Sequence, residues 1–263
     1  MSSSSADRGP VASTTTPDDV PVVTTALVVA VDGPSGSGKS SVSRAAARAL
    51  GVAFLDTGAM YRAVTWAALR DGVDLDDRTA VAAHVRATAL VVGTDPAAPT
   101  VAVAAADGTE TDLTEAVRTD EVTASVSAVA SVPAVRQDLV LRQRALIDSA
   151  CAAPLPGRRA GVVAEGRDIT TVVAPDADVR ILLTADEGVR LARRARQDLG
   201  TADEAAVEAT RRAVVERDRV DSRTTAFTTA ADGVVTVDST HLDFDGTVAA
   251  VLEVVTRAAG GGA

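Results

Sequence analysis

The sequence predicts an α/β protein built on a parallel sheet with helices on both faces. Short continuous apolar runs recur along the chain, and a helix-like segment follows most of them. A glycine-rich turn joins the first run to the first helix. Strands buried on both faces read as continuous apolar runs rather than alternating ones. The first strand is "ALVVAV", Ala26–Val31, ending at Asp32-Gly33, and "SSVSRAAARALG" follows as a helix with Gly51 as its stop. "VAFLDT" is a second strand, after which Gly58–Arg70 is helical and Asp56 or Thr57 can cap it. From about Val73 to Asp120 come short pieces such as "ALVVGT" and "TVAVAAADG" between turn residues, which predict a small α+β insertion. A long helix, about Pro133–Ala152, returns the chain to the sheet. Gly161–Gly166, Val179–Ala185 and Gly233–Asp238 are three more strands, and helices are predicted at about Glu187–Leu199, Ala202–Arg219 and Asp245–Ala258.

The 263 residues can bury a good core. With 46% hydrophobic but only 2% aromatic residues, that core is Ala, Val and Leu. Met1 to about Thr25 is rich in Ser, Thr, Pro and Asp and reads as a disordered tail (1–25), and "AAGGGA" as a frayed end. A net charge of −10 argues against a general nucleic-acid or anionic-membrane surface. No membrane span or secretory signal is evident, so a cytoplasmic setting is expected. A single cysteine, Cys151, excludes an intramolecular disulfide, and His84 and His241 stand alone without ligand spacing.

The turn "GPSGSGKS" (Gly33, Pro34, Ser35, Gly36, Ser37, Gly38, Lys39, Ser40) fits G-x-x-x-x-G-K-[ST] and sits between a buried strand and a helix. Its glycines let backbone N–H groups wrap a phosphate at a helix N-terminus. Lys39 can reach the β/γ-phosphates, and the Ser40 hydroxyl can ligate Mg²⁺. The chain has 25 arginines and one lysine, Lys39. The compact ammonium suits this place, where the larger, flat guanidinium does not. The loop implies an NTP site and leaves the acceptor open.

Two later stretches bear on the acceptor. "AEGRDITTVV" places Glu165, Gly166, Arg167 and Asp168 at the carboxyl end of a buried strand, the edge where open α/β sheets bind ligands. Arg190, Arg193, Arg194 and Arg196 then fall on one helix, and "ERDRVDSR" (Glu216–Arg223) adds three more arginines among acids. These form either a salt-bridged solvent face or the cationic lid that phosphoryl transfer uses.

Together "DGPSGSGKS", "LDTGAMYRAVTWAAL", "SVSAVASVPAVR", "VVAEGRDITTVVAPDADVRILLTA" and "ERDRVDS" closely resemble the bacterial cytidylate kinase family, P-loop nucleoside monophosphate kinases, from about Leu27 to Ala258. The resemblance implies a five-stranded parallel core (26–72 and 133–258), an NMP-binding insertion (about 73–132) and a helical lid (about 190–223). It implies transfer of the ATP γ-phosphoryl group to CMP or dCMP with Mg²⁺ on Ser40, by a monomer that binds neither nucleic acid nor membrane. By the same resemblance, Gly33–Ser41, including Ser41, holds ATP. Thr57, Tyr61 and Arg62 match the acceptor site, with Arg62 on the CMP phosphate. Ser127, Arg136 and Asp168 match positions that read cytosine. Arg167 matches a phosphate ligand, Arg217 and Asp221 match groups near ribose and phosphate, and Arg194 matches a lid arginine on the ATP side. The catalytic charges it implies are Lys39, Arg167, Arg194 and Arg217. Two departures stand out. The family often has Ser at Thr57 and Gly at Thr170. Arg223 also arrives one residue early, with "TTAFTTAAD" replacing a Pro-containing continuation.

Overall fold

In a computed structural model, which describes residues 26–222 and 227–260, five parallel strands form a twisted central layer. They are β1 (Leu27–Asp32), β2 (Ala53–Asp56), β6 (Gly161–Gly166), β7 (Val179–Thr184) and β8 (Val235–Asp238), in the order β2-β6-β1-β7-β8. Each neighbouring pair is parallel, with Val29 opposite both Val163 and Val179. The expected tail (1–25) and Arg223 lie outside the described residues.

Alternation along the strands sends side chains to two cores. Ala30, Ala53, Leu55, Val162 and Ala164 face one side, where α2 (Thr57–Arg70), α3 (Arg78–Ala87) and α5 (Pro133–Ala152) contribute Met60, Val64, Val81, Val85 and Leu139. Val29, Val31, Phe54, Val163 and Ile181 face the other side, under Val42, Ala46 and Ala47 of α1 (Lys39–Leu50) and Val251 and Val255 of α8 (Phe244–Gly260). The apolar runs are continuous because both faces of the sheet are covered.

Between α2 and α5 the chain holds α3, then an antiparallel sheet of β3 (Ala89–Gly93), β4 (Thr100–Ala104) and β5 (Glu110–Asp112), then α4 (Asp120–Ala130). The α+β character of this segment was legible, and α3 and α4 were not. α3 begins where the Asp77 carboxylate accepts from the Thr79 and Ala80 amides, and it buries only Val81 and Val85. α4 is rich in β-branched residues, and Val122, Val126 and Val129 bury one stripe of it. After β7 come α6 (Glu187–Leu199) and α7 (Glu204–Asp221), packed on each other.

Differences from the sequence reading of one or two residues fall at several element ends. α7 starts at Glu204 rather than Ala202, β8 starts at Val235 rather than Gly233, β7 stops at Thr184, and α8 starts at Phe244. Gly233, at φ 74°, belongs to the preceding turn.

Candidate active site

The carboxyl ends of β1, β2 and β6 open onto a cleft of about 940 Å³. Its floor at one end is the glycine loop. Gly36 and Gly38 there have φ of 76° and 87°, values that only glycine adopts without strain. A side chain at Gly36 would also strike the Arg190 carbonyl. Arginines of α6 brace this loop from outside. Arg190 donates to Ser35 O at 2.7 Å, and Arg193 donates to Ser37 O at 3.4 Å and to Ser239 O at 2.8 Å. Lys39 Nζ lies 3.5 Å from Pro34 O. Arg194, one turn beyond Arg190, lines the cleft and is held by Asp198 of its own helix at 2.6 Å. Of the two readings left open for the arginine cluster, a plain solvent face does not describe Arg190 and Arg193, which are part-buried and bonded to loop carbonyls.

Asp56 is the residue that caps α2, accepting from the Ala59 amide at 2.8 Å. Thr57, 3% exposed, gives its hydroxyl proton to Glu165 O at 2.8 Å and so ties β2 to β6. Arg62, one turn into α2, lies 3.5 Å from Asp56, and its Nε is buried without a hydrogen-bond partner. A guanidinium left half-satisfied at a cleft wall fits an anionic group.

At the far end, Arg136 of α5 donates to the Asp168 carboxylate. Burial pushes the Asp168 carboxyl up, and the Arg136 guanidinium pulls it back. Tyr61 lies beside this pair, and burial followed by the Asp168 charge pushes its hydroxyl up. Ser127 of α4 lines the same cleft.

The structure thus brings Ser35, Gly36, Gly38, Lys39, Ser40, Ser41, Thr57, Tyr61, Arg62, Ser127, Arg136, Arg167, Asp168 and Arg194 to one cleft. Gly33, Pro34 and Ser37 belong to the loop without lining it. Arg217 and Asp221 fall on α7, and their side chains lie outside the described residues.

Three carboxylates do further work here: Glu165, which the sequence places at a strand end without a role of its own, and Asp32 and Asp218. Glu165, 2% exposed, accepts from the Ser40 hydroxyl at 2.6 Å. Its pKa is pushed up to about 7, first by burial and then by the neighbouring Asp56 charge, with Lys39 and Arg62 opposing. Asp218 of α7 accepts from the Ser35 amide at 3.2 Å and pairs with Arg167 at 3.0 Å and Arg190 at 2.7 Å. The Arg167 guanidinium also lies over the ring of Phe227, 4.4 Å from its centroid. Asp32 lies beneath the cleft, where its carboxylate takes three hydrogen bonds from Ile169 and Thr170. The signal for Glu165 was its place in "EGRD" at a strand end; Asp32 and Asp218 carry no local signal.

These oxygens suit a hard divalent cation. Ser40 and Glu165 offer a hydroxyl and a carboxylate oxygen side by side at the phosphate loop, donors of the kind such an ion takes.

The family model described as cytidylate kinase matches residues 29–257. A cytidylate kinase of Streptomyces avermitilis is 46% identical over 231 residues, spanning 88% of this chain and 93% of the relative. One from Rhodococcus opacus is 49% identical over 243 residues, spanning 91% and 99%, and one from Cutibacterium acnes is 42% identical over 233 residues, spanning 88% and 97%. The match runs through the loop, the cleft walls and the last helix alike, so the chain belongs to the cytidylate kinase family.

Proposed function

We propose that this protein transfers the γ-phosphoryl group of ATP to CMP and dCMP, forming CDP and dCDP. The observation that carries this reading is the facing of two unlike ends in one cleft, a phosphate loop at one and the Arg136–Asp168 pair at the other. A carboxylate there accepts from the exocyclic amine of cytosine, while Arg136 and Ser127 donate to N3 and O2. Uracil presents an oxygen where cytosine has its amine and would face Asp168 unfavourably.

In this reading an oxygen of the CMP phosphate attacks the γ-phosphorus as the bond to the β-phosphate oxygen breaks, and ADP leaves. The acceptor is already anionic, so no strong general base is required. The work is alignment and charge neutralisation. Lys39 neutralises the β/γ-phosphates, and Arg62 and Arg167 hold the acceptor phosphate. Arg194 covers the donor side, and Arg217 and Asp221 act near ribose and phosphate. Ser40 would hold Mg²⁺ brought with ATP, and the ion would supply further charge neutralisation. The segment 73–132 would close over the acceptor and α6–α7 over the donor, excluding water. The reading includes a monomeric, cytoplasmic enzyme without a nucleic-acid partner. Among the described residues no helix is long and apolar enough to cross a membrane.

A coupled assay across CMP, dCMP, UMP and AMP tests it. CMP and dCMP should turn over with kcat/KM at least about tenfold above UMP, the scale of one base-edge contact. Equal use of UMP would overturn the cytosine assignment in favour of a broader pyrimidine nucleotide kinase. ATP hydrolysis that needs no acceptor and is stimulated by nucleic acid would overturn the kinase reading.

A further inference from the structure

Asp32 closes β1 one residue before Gly33 opens the phosphate loop, and it is 1% exposed. Its Oδ1 accepts from the Ile169 amide at 2.9 Å. Its Oδ2 accepts from the Thr170 amide at 2.8 Å and the Thr170 hydroxyl at 2.6 Å. Ile169 and Thr170 begin a single π-helical turn, Ile169–Val173, which leaves the sheet right after Asp168. Such turns are rare and concentrate at functional sites. The Asp168 side chain does not cap the turn, since it points to Arg136. Asp32 satisfies the turn's first amides instead, from a strand 137 residues away in sequence.

The direction of the Asp168 carboxylate follows from this arrangement. Asp168 lies between β6, which the sheet holds, and Ile169-Thr170, which Asp32 holds. Its backbone, at φ −149° and ψ 22°, lies outside the regular regions. With both ends fixed, the Cβ of Asp168 has one direction, and Arg136 receives it there. The Thr170 hydroxyl donates the third hydrogen bond, and this is a role that the sequence alone gave no reason for.

We propose that Asp32 and Thr170 are positioning residues for base recognition, which hold the Ile169–Thr170 backbone so that Asp168 meets the acceptor base. The proposal rests on the reading above that Asp168 faces the base of the acceptor nucleotide. It adds that selectivity is set by a carboxylate the nucleotide never touches. The strand that delivers the ATP loop thereby also orients the acceptor site.

The decisive variant is Thr170→Val, which keeps the shape and removes the hydroxyl. Thr170→Ser restores the hydroxyl and is the rescue control. Asp32→Asn sets a buried amide donor against a backbone donor, Ile169 N–H or Thr170 N–H, and is the severer change; because it breaks a bond in the buried core, Thr170→Val carries the test. For each variant, kcat and KM are measured with CMP, UMP and ATP, CMP binding is followed by calorimetry without turnover, and Tm is recorded. We expect Thr170→Val to raise KM and Kd for CMP about tenfold and to narrow the CMP-over-UMP preference by about the same factor, within what a displaced recognition group costs. The KM for ATP should stay within about twofold, because Arg190 and Arg193 brace the loop independently. Thr170→Ser should behave as wild type. A Thr170→Val protein with lowered Tm but unchanged CMP-over-UMP preference overturns the positioning role. Wild-type protein that phosphorylates no CMP removes the underlying reading, and is distinguished because it fails before any variant is made.

Discussion

At the residue scale, Glu165 shows how chemistry and stability oppose each other at this site. Its carboxyl is raised to about 7, from an ordinary value near 4.5, chiefly by burial. The folded protein therefore holds this proton more tightly than the unfolded chain does. The associated stability is complete below about pH 4.5 and is lost as pH rises to about 7, by at most about 1.4 kcal/mol per pH unit. Gln at this position imitates the protonated form. Glu165→Gln should match wild type in Tm near pH 4.5 and exceed it by several degrees at pH 8, while losing at least about tenfold in phosphoryl transfer. Calorimetry at intervals from pH 4.5 to 8 checks this, and parallel Tm profiles for the two proteins would contradict it. The sequence displayed Glu165 inside a motif, but its burial beside Asp56 depends on β2 and β6 being neighbours. Asp32 was harder to foresee, because an aspartate before glycine reads locally as a turn residue.

At the element scale, helices were legible where one periodic face meets one core. The limits of α5 and α6 agree with the sequence reading to the residue. α3 and α4 escaped it because short, Ala- and Val-rich segments carry no strong helical period, and tertiary packing chose their conformation. The pair α6–α7 shows what a charge pattern alone leaves undecided. Arg190 and Arg194 share a face, yet one braces the phosphate loop and the other lines the cleft. The divider is Asp218, 12% exposed in its side chain, which joins α7 to Arg167, Arg190 and the Ser35 amide. Asp218→Asn leaves two part-buried guanidinium groups without their anion and should cost about 3 kcal/mol in urea denaturation. An unchanged urea midpoint would show that α7 is anchored by other contacts.

At the scale of the whole molecule, α2 joins the main sheet to the small one. Met60 and Val64 face the central core, while Ala63 and Ala67 meet Val101, Val103 and Leu113 of the antiparallel layer. Trp66, the only tryptophan, packs at that second contact, with Arg70 over its ring at 5.0 Å. It reports the seat of the small sheet rather than the cleft interior. CMP should change its emission saturably, and ATP alone should change it less; a spectrum unmoved by saturating CMP would mean that the small sheet does not shift when the acceptor binds. The class of fold and the phosphate loop were legible because each is written within a few consecutive residues. Strand order was not, because it depends on which distant strands share an edge.

That order has a consequence for how the protein is made. β1 has β6 and β7 as its neighbours, and β2 pairs only with β6. No two strands of the central sheet can join before the ribosome has produced Gly161–Gly166. At ~5–20 residues per second, the nascent chain holds its first apolar strand unpaired for roughly ten seconds. During synthesis, Leu27–Asp32 is therefore a segment for a chaperone to cover, and a chain that stalls before β6 has no central sheet to fold into.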